Sequence, residues 1–244
     1  MTGGHMCLLR VWDIESGNCL STLQGHKGAI YACCFGETNQ QVLSASEDEL
    51  AMLWDTETGA DTAQAFWGHK GKVQDCAFTP DYQSVVTASH DRTLKLWKLN
   101  GKCVTTFEGS SRFRTCCVSP NGKLVVSGDD QAEVRLWELN GRCRCVLQGH
   151  TAPVFVCRFS PDGTLLASAS KDGCIRLWDW VGGSCLKELC GMDLQQLYCV
   201  DFSSDGRFLV SSGEGNEMQV SHVLVLPTVS TLFWAGLVSR TAPF

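Results

Sequence analysis

The sequence predicts an all-β chain made by repeating one antiparallel meander, and three observations carry that prediction. Trp recurs at positions 12, 54, 97, 137 and 178, forty to forty-three residues apart, each closing a short, largely aliphatic run. Gly-His pairs stand at 25–26, 68–69 and 149–150, each His twenty-eight residues before a Trp. Turn signals fall in phase: Pro80-Asp81, Pro120-Asn121-Gly122, Pro161-Asp162-Gly163 and Ser204-Asp205-Gly206. Pro presets φ and Gly accepts positive φ, so these clusters punctuate strands.

The unit is clearest over residues 149–179. It opens on Gly149-His150, and residues 155–159 alternate apolar and polar. After the turn at Pro161-Asp162-Gly163 come a second run, 165–169, a second turn at Lys171-Asp172-Gly173, and a third run, 175–178. A period near forty residues is the mark of an array of packed units.

Together, the spacing, end pairs and turns resemble the WD-repeat family of β-propellers over roughly residues 1–221. The resemblance implies blades of four antiparallel strands packed radially. It divides a single propeller domain, 1–235, into a partial blade at 1–24 and five blades at about 26–67, 69–107, 110–147, 150–190 and 192–235. Residues 231–234 are the candidate outer strand of the last blade, and 236–244 are a tail outside the repeat. About five and a half blades predict an open or imperfectly closed ring. Its exposed edges predict pairing with another chain.

Composition excludes several classes. Across 244 residues there are 20 basic and 26 acidic side chains, a net charge of −6, so no nucleic-acid partner is expected. The apolar stretch 223–238 is short for a membrane span and contains Pro227, so no membrane partner is expected either. Fifteen Cys without a secretory signal predict a reducing, intracellular setting, cytoplasmic or nuclear. Cys33, Cys76, Cys116 and Cys157 recur at one repeat position, as small buried hydrophobes do. Four converging ligands with metal spacing are not visible, so no metal and no cofactor is expected.

In family members the Gly-His imidazole, a hydroxyl, a turn Asp and the Trp form a hydrogen-bonded chain. The matching residues are His26, Ser44, Asp48 and Trp54; His69, Thr87, Asp91 and Trp97; and His150, Ser168, Asp172 and Trp178. Such buried groups can satisfy one another. Their types also suit a Ser-His-Asp triad, but three copies spaced by one blade are a building device, and no catalytic residue is assigned. Ser110 and Gln131 break the set in the third blade, which is therefore expected to be the looser internal one. In the fifth, Met192 or Asp193, Gly215 and Ser221 stand at the His, Asp and Trp positions, and that blade is expected to be weakest.

Family propellers bind peptides on the face bearing the turns before the innermost strand. Three positions per blade map there: Ala29, Tyr31 and Glu47; Lys72, Gln74 and His90; Arg112, Arg114 and Asp130; Pro153, Phe155 and Lys171; and Gln196, Tyr198 and Glu214. Tyr31, Lys72, Gln74, His90, Arg112, Arg114, Phe155, Lys171 and Tyr198 are the candidate partner-binding residues. The cluster of cations suits an acidic or phosphorylated protein segment. The expected function is a non-catalytic protein–protein interaction scaffold. The alternative is the regulatory or sensor propeller of a larger multidomain protein, and a propeller enzyme is the least supported reading.

Overall fold

Short apolar runs closed by tight turns give strands and nothing else. The computed structural model describes residues 7–38, 40–190, 196–214 and 218–222, and every regular element among them is a β-strand. The turn before Leu165 illustrates the local cause. Gly163 takes a φ of 71° and donates its N–H to Ser160 O at 2.8 Å. The Ser160 hydroxyl donates to Asp162 Oδ1 at 2.6 Å and accepts from Leu165 N at 2.9 Å. The Pro-Asp-Gly signal therefore reverses the chain with its polar groups already satisfied.

The strands form six sheets in chain order. β1 (Leu8–Trp12) and β2 (Cys19–Gln24) make a two-stranded sheet. The first blade holds β3 (Ile30–Phe35), β4 (Gln41–Ser46), β5 (Ala51–Asp55) and β6 (Gly59–Phe66). The second holds β7 (Val73–Phe78), β8 (Ser84–Ser89), β9 (Thr93–Lys98) and β10 (Cys103–Glu108). The third holds β11 (Phe113–Val118), β12 (Leu124–Asp129), β13 (Val134–Glu138) and β14 (Cys143–Leu147). The fourth holds β15 (Val154–Phe159), β16 (Leu166–Ser170), β17 (Ile175–Asp179) and β18 (Ser184–Leu189). In the fifth, β19 (Leu197–Phe202), β20 (Phe208–Gly213) and β21 (Met218–His222) are described. The expected fourth strand at 231–234 and the tail lie outside the described residues.

The core lies between blades rather than inside any one of them. Phe66 of the first blade packs with Val73, Val85 and Trp97 of the second, and Phe107 of the second with Phe113 and Trp137 of the third. β8, β12 and β16 are buried along their whole length, because neighbours cover both faces. Each fully buried large apolar side chain contributes about 1.5–3 kcal/mol, so a lone blade would lose much of its stabilisation. Successive blades share these clusters from the two-stranded sheet to the fifth blade. Among the described residues, no cluster joins the last sheet back to the first. The architecture is an open β-propeller with partial end blades.

Candidate functional site

Three blades carry the same buried polar chain. In the first, Trp54 Nε1 donates to Ser44 Oγ at 2.8 Å, and Ser44 Oγ lies 2.7 Å from His26 Nε2. His26 Nδ1 lies 2.8 Å from Asp48 Oδ2, which also accepts from Lys27 N at 2.8 Å. A carboxylate only accepts, so Nδ1 carries the proton, leaving Nε2 to accept from the hydroxyl. His69, Thr87, Asp91 and Trp97 repeat the chain, as do His150, Ser168, Asp172 and Trp178, with every link between 2.7 and 2.9 Å. Burial holds His26 and His150 below the usual imidazole value, although Asp48 and Asp172 pull the other way. Burial alone would raise Asp48, Asp91 and Asp172, but the hydrogen bonds they accept outweigh it and hold all three low.

The third blade keeps the hydroxyl–indole half of this chain and fills the rest differently. Trp137 Nε1 still donates to Ser127 Oγ at 2.9 Å. The ring of Phe113 now stands beside Trp137, where the other blades place an imidazole. Asp129 occupies the position of Ser46, Ser89 and Ser170, and its Oδ1 accepts from Gln131 N and Glu133 N at 2.9 and 3.0 Å. Arg135 lies 3.7 Å from Asp129 Oδ2, pairs with Glu133 and donates to Ser110 Oγ at 2.9 Å. As the sequence leads one to expect, groups are left stranded: Asp129 Oδ2 and Arg135 Nε are buried without a hydrogen-bond partner, although Asp129 Oδ1 and the rest of the Arg135 guanidinium have found new ones. In the fifth blade, residues 192, 193 and 215 lie outside the described residues.

A different feature shapes the face. Each innermost strand has a register shift near its start, and the skipped residue has no cross-strand partner. Those residues are Tyr31, Gln74, Arg114, Phe155 and Tyr198. A bulge of this kind re-aims a side chain out of the ladder. All five line one cavity of about 630 Å³, together with Asp75 and Arg158. Within it Arg114 lies over the Phe155 ring at 5.4 Å, and Phe155 meets Tyr198 at 5.6 Å.

The cations divide into two kinds. Lys72 pairs with Glu47, and Arg114 donates to Asp130 at 2.6 Å, so both are partly neutralised. Arg112 and Lys171 are exposed and pair with no carboxylate among the described residues. His90 Nε2 is buried without a hydrogen-bond partner. Burial lowers the pKa of His90, as does nearby Arg114, and Asp130 opposes them.

Sequence reasoning passes over the cavity floor. Asp75 Oδ2 accepts from Thr115 Oγ1 at 2.8 Å and Cys116 N at 3.0 Å, and Arg158 lies 3.8 Å away. Thr115 Oγ1 in turn accepts from Cys157 N at 3.3 Å, so three blades are joined by one polar chain. The available signal was Asp75 itself, a carboxylate where the other blades carry Ala32, Thr115, Val156 and Cys199. Burial pushes the neighbouring Cys117 thiol up to about 12, which disfavours its thiolate.

A family profile described as "IFT122 first beta-propeller" matches residues 3–223. The chain belongs to that family. Shorter stretches resemble named WD-repeat and other proteins. "Pre-mRNA-processing factor 17" of Mus musculus is 41% identical over 54 residues, 22% of this chain and 9% of that protein. "Nuclear distribution protein PAC1" of Komagataella phaffii is 38% identical over 63 residues, 24% and 13% of the two chains. "F-box-like/WD repeat-containing protein TBL1X" of Homo sapiens is 40% identical over 58 residues, 24% and 10%. These matches span about a tenth of each relative. WD-repeat propellers are generally protein-interaction scaffolds, and the bulge-lined cavity is where this member of the IFT122 first β-propeller family exposes unshared side chains.

Proposed function

We propose that the chain is a non-catalytic interaction module, acting in the cytoplasm or nucleus, whose bulge-lined cavity docks a peptide segment of a partner protein. The observation that carries this reading is the convergence of Tyr31, Gln74, Arg114, Phe155 and Tyr198 on one cavity. Arg and aromatic side chains in a pocket are the residues that dominate binding energy at protein interfaces. The buried triads support a structural role: each hydroxyl already accepts an indole N–H, and Ser44, Thr87 and Ser168 are wholly buried.

The docked segment is acidic or phosphorylated. Support comes from Arg112 and Lys171, which lack carboxylate partners, and from the orphaned His90 Nε2. Peptide-display libraries, with and without phosphorylated residues, panned on wild type and on Arg112→Glu/Lys171→Glu test this point. Enrichment of acidic or phosphorylated sequences that the variant loses supports it. Enrichment of neutral sequences by both proteins would refute the charge preference while leaving docking intact.

A second reading follows from the family description, which names a first propeller. The chain then serves as one regulatory propeller of a larger multidomain protein. A longer transcript encoding further domains in frame with this chain would favour the second reading, and its absence from full-length transcript sequencing would favour the first.

A further inference from the structure

Outside the docking face, one side-chain cluster has chemistry of its own. β17 pairs with β18 so that Ile175 faces Leu189 and Arg176 faces Glu188. One step beyond this ladder, Cys174 and Cys190 face each other with Cα atoms 4.4 Å apart, and they are joined by a disulfide. The Cys190 sulfur lies 3.0 Å from Glu188 Oε1. Ligand atoms of Cys174, Glu188 and Cys190 all fall within 4.8 Å of one another. Among the described residues no other three His, Cys, Asp or Glu side chains come together in this way.

The other thirteen cysteines are free, and several of them are exposed. The pairing of Cys174 with Cys190 therefore reflects their placement across a hairpin rather than a chain built around disulfides. Metal spacing is not visible along the chain, because the two cysteines are distant in sequence. These two residues are sixteen apart and meet only because the strands pair.

We propose that in the dithiol state Cys174, Cys190 and Glu188 hold a zinc ion, and that the disulfide is the metal-free alternative of the same site. Two thiolates and a carboxylate are a borderline-soft donor set suited to zinc. Tetrahedral zinc holds two thiolate sulfurs about 3.7 Å apart, a spacing that opening the disulfide across this strand pair allows. Three protein ligands leave a fourth position for water. The exchange balances. Two equivalents of a low-molecular thiol reduce the disulfide, giving two protein thiols and one low-molecular disulfide. Zinc then displaces the two thiol protons. The reverse exchange, with a low-molecular disulfide as oxidant, expels the ion. Arg176 Nη2 sits 2.7 Å from Glu188 Oε1 and competes with the metal for that carboxylate.

Both states staple the outer edge of the fourth blade. Cys174 N donates to Asp172 Oδ1 at 3.0 Å, so the clip also anchors the turn that holds His150.

The test uses the whole chain, reduced, desalted without oxygen and titrated with Co²⁺ and then Zn²⁺, beside Cys174→Ser/Cys190→Ser. Thermal unfolding shows that the variant is folded. Wild type takes one more equivalent of Co²⁺ than the variant, with a thiolate-to-cobalt charge-transfer band that Zn²⁺ bleaches. Glu188→Gln weakens that equivalent about tenfold, and Arg176→Met tightens it. Protein oxidised with a low-molecular disulfide loses the extra equivalent. Equal Co²⁺ uptake by reduced wild type and the double variant would overturn the proposal, as would binding that survives oxidation.

Discussion

The ring of Phe113 stands edge-on to the indole of Trp137, with centroids 6.1 Å apart and planes at 82°. In the other complete blades an imidazole takes that place: His26 is 5.7 Å from Trp54, His69 5.9 Å from Trp97, and His150 6.2 Å from Trp178. The third blade thus exchanges a hydrogen-bonded ring for an apolar one at the same spot. Phe113→Ala should cost about 3–5 kcal/mol by opening a cavity against Trp137. Ser110→His alone should bring no gain, because its slot is full. Urea unfolding of both variants checks this, and a stabilising Ser110→His would show that the slot is open.

Breaking an intact chain should cost more than its simplest hydrogen-bond count suggests. Ser168→Ala removes the acceptor of Trp178 Nε1 and the partner of His150 Nε2 at once. Each stranded group costs about 1–3 kcal/mol. Ser127→Ala in the third blade strands only Trp137 Nε1 and should cost less. Equal losses for the two variants, measured by chemical unfolding, would contradict this ranking.

Acid should weaken the propeller in two stages. The folded-state pKa values of His26 and His150 lie below 6.5, so the unfolded chain takes up those protons first. Their contribution is complete above about pH 6.5 and declines as pH falls below it. Asp48 and Asp172, held below 3.8, contribute fully above that value and lose their effect on further acidification. Asp129 runs the other way, since burial raises it and protonation relieves a buried charge. Unfolding midpoints should therefore drop between pH 7.5 and pH 5, and the drop should shrink in a His26→Gln/His150→Gln variant. A flat profile in wild type would rule out the neutral, buried imidazoles.

Reducing the Cys174–Cys190 bond without adding metal frees a loop with a sequence separation of 16. Loops of that size are worth about 3 kcal/mol when closed. Calorimetry with and without reductant should register a loss of that order in wild type and none in Cys174→Ser/Cys190→Ser.

The propeller was legible because its period, turns and Trp-closed strands are local patterns repeated in phase. The polar positions were legible for the same reason: His26, Ser44 and Asp48 keep constant offsets from Trp54. What could not be read depends on geometry across strands or blades. Phe113 looks like any strand residue until its ring is seen in the imidazole slot. The bulges that free Arg114 and Phe155 are shifts of register, which leave no mark in composition. Asp75 joins Thr115 from the next blade, forty residues on, and Cys174 meets Cys190 only through strand pairing. Lys72 and Arg114 count among the cations of the face by sequence, and only the structure shows that Glu47 and Asp130 reach them from neighbouring turns.

The proposed docking at the bulge-lined cavity is tested most directly by the affinity of one display-selected peptide for three proteins: wild type, Phe155→Ala and Leu186→Ala. Phe155 lines the cavity between Arg114 and Tyr198, whereas Leu186 is 57% exposed on an outer strand. A central anchor is worth about 2 kcal/mol or more, roughly thirtyfold in affinity. Titration calorimetry should show that loss for Phe155→Ala and unchanged binding for Leu186→Ala. Unchanged binding to Phe155→Ala, or loss only in Leu186→Ala, would place recognition away from the bulge-lined cavity and contradict the account.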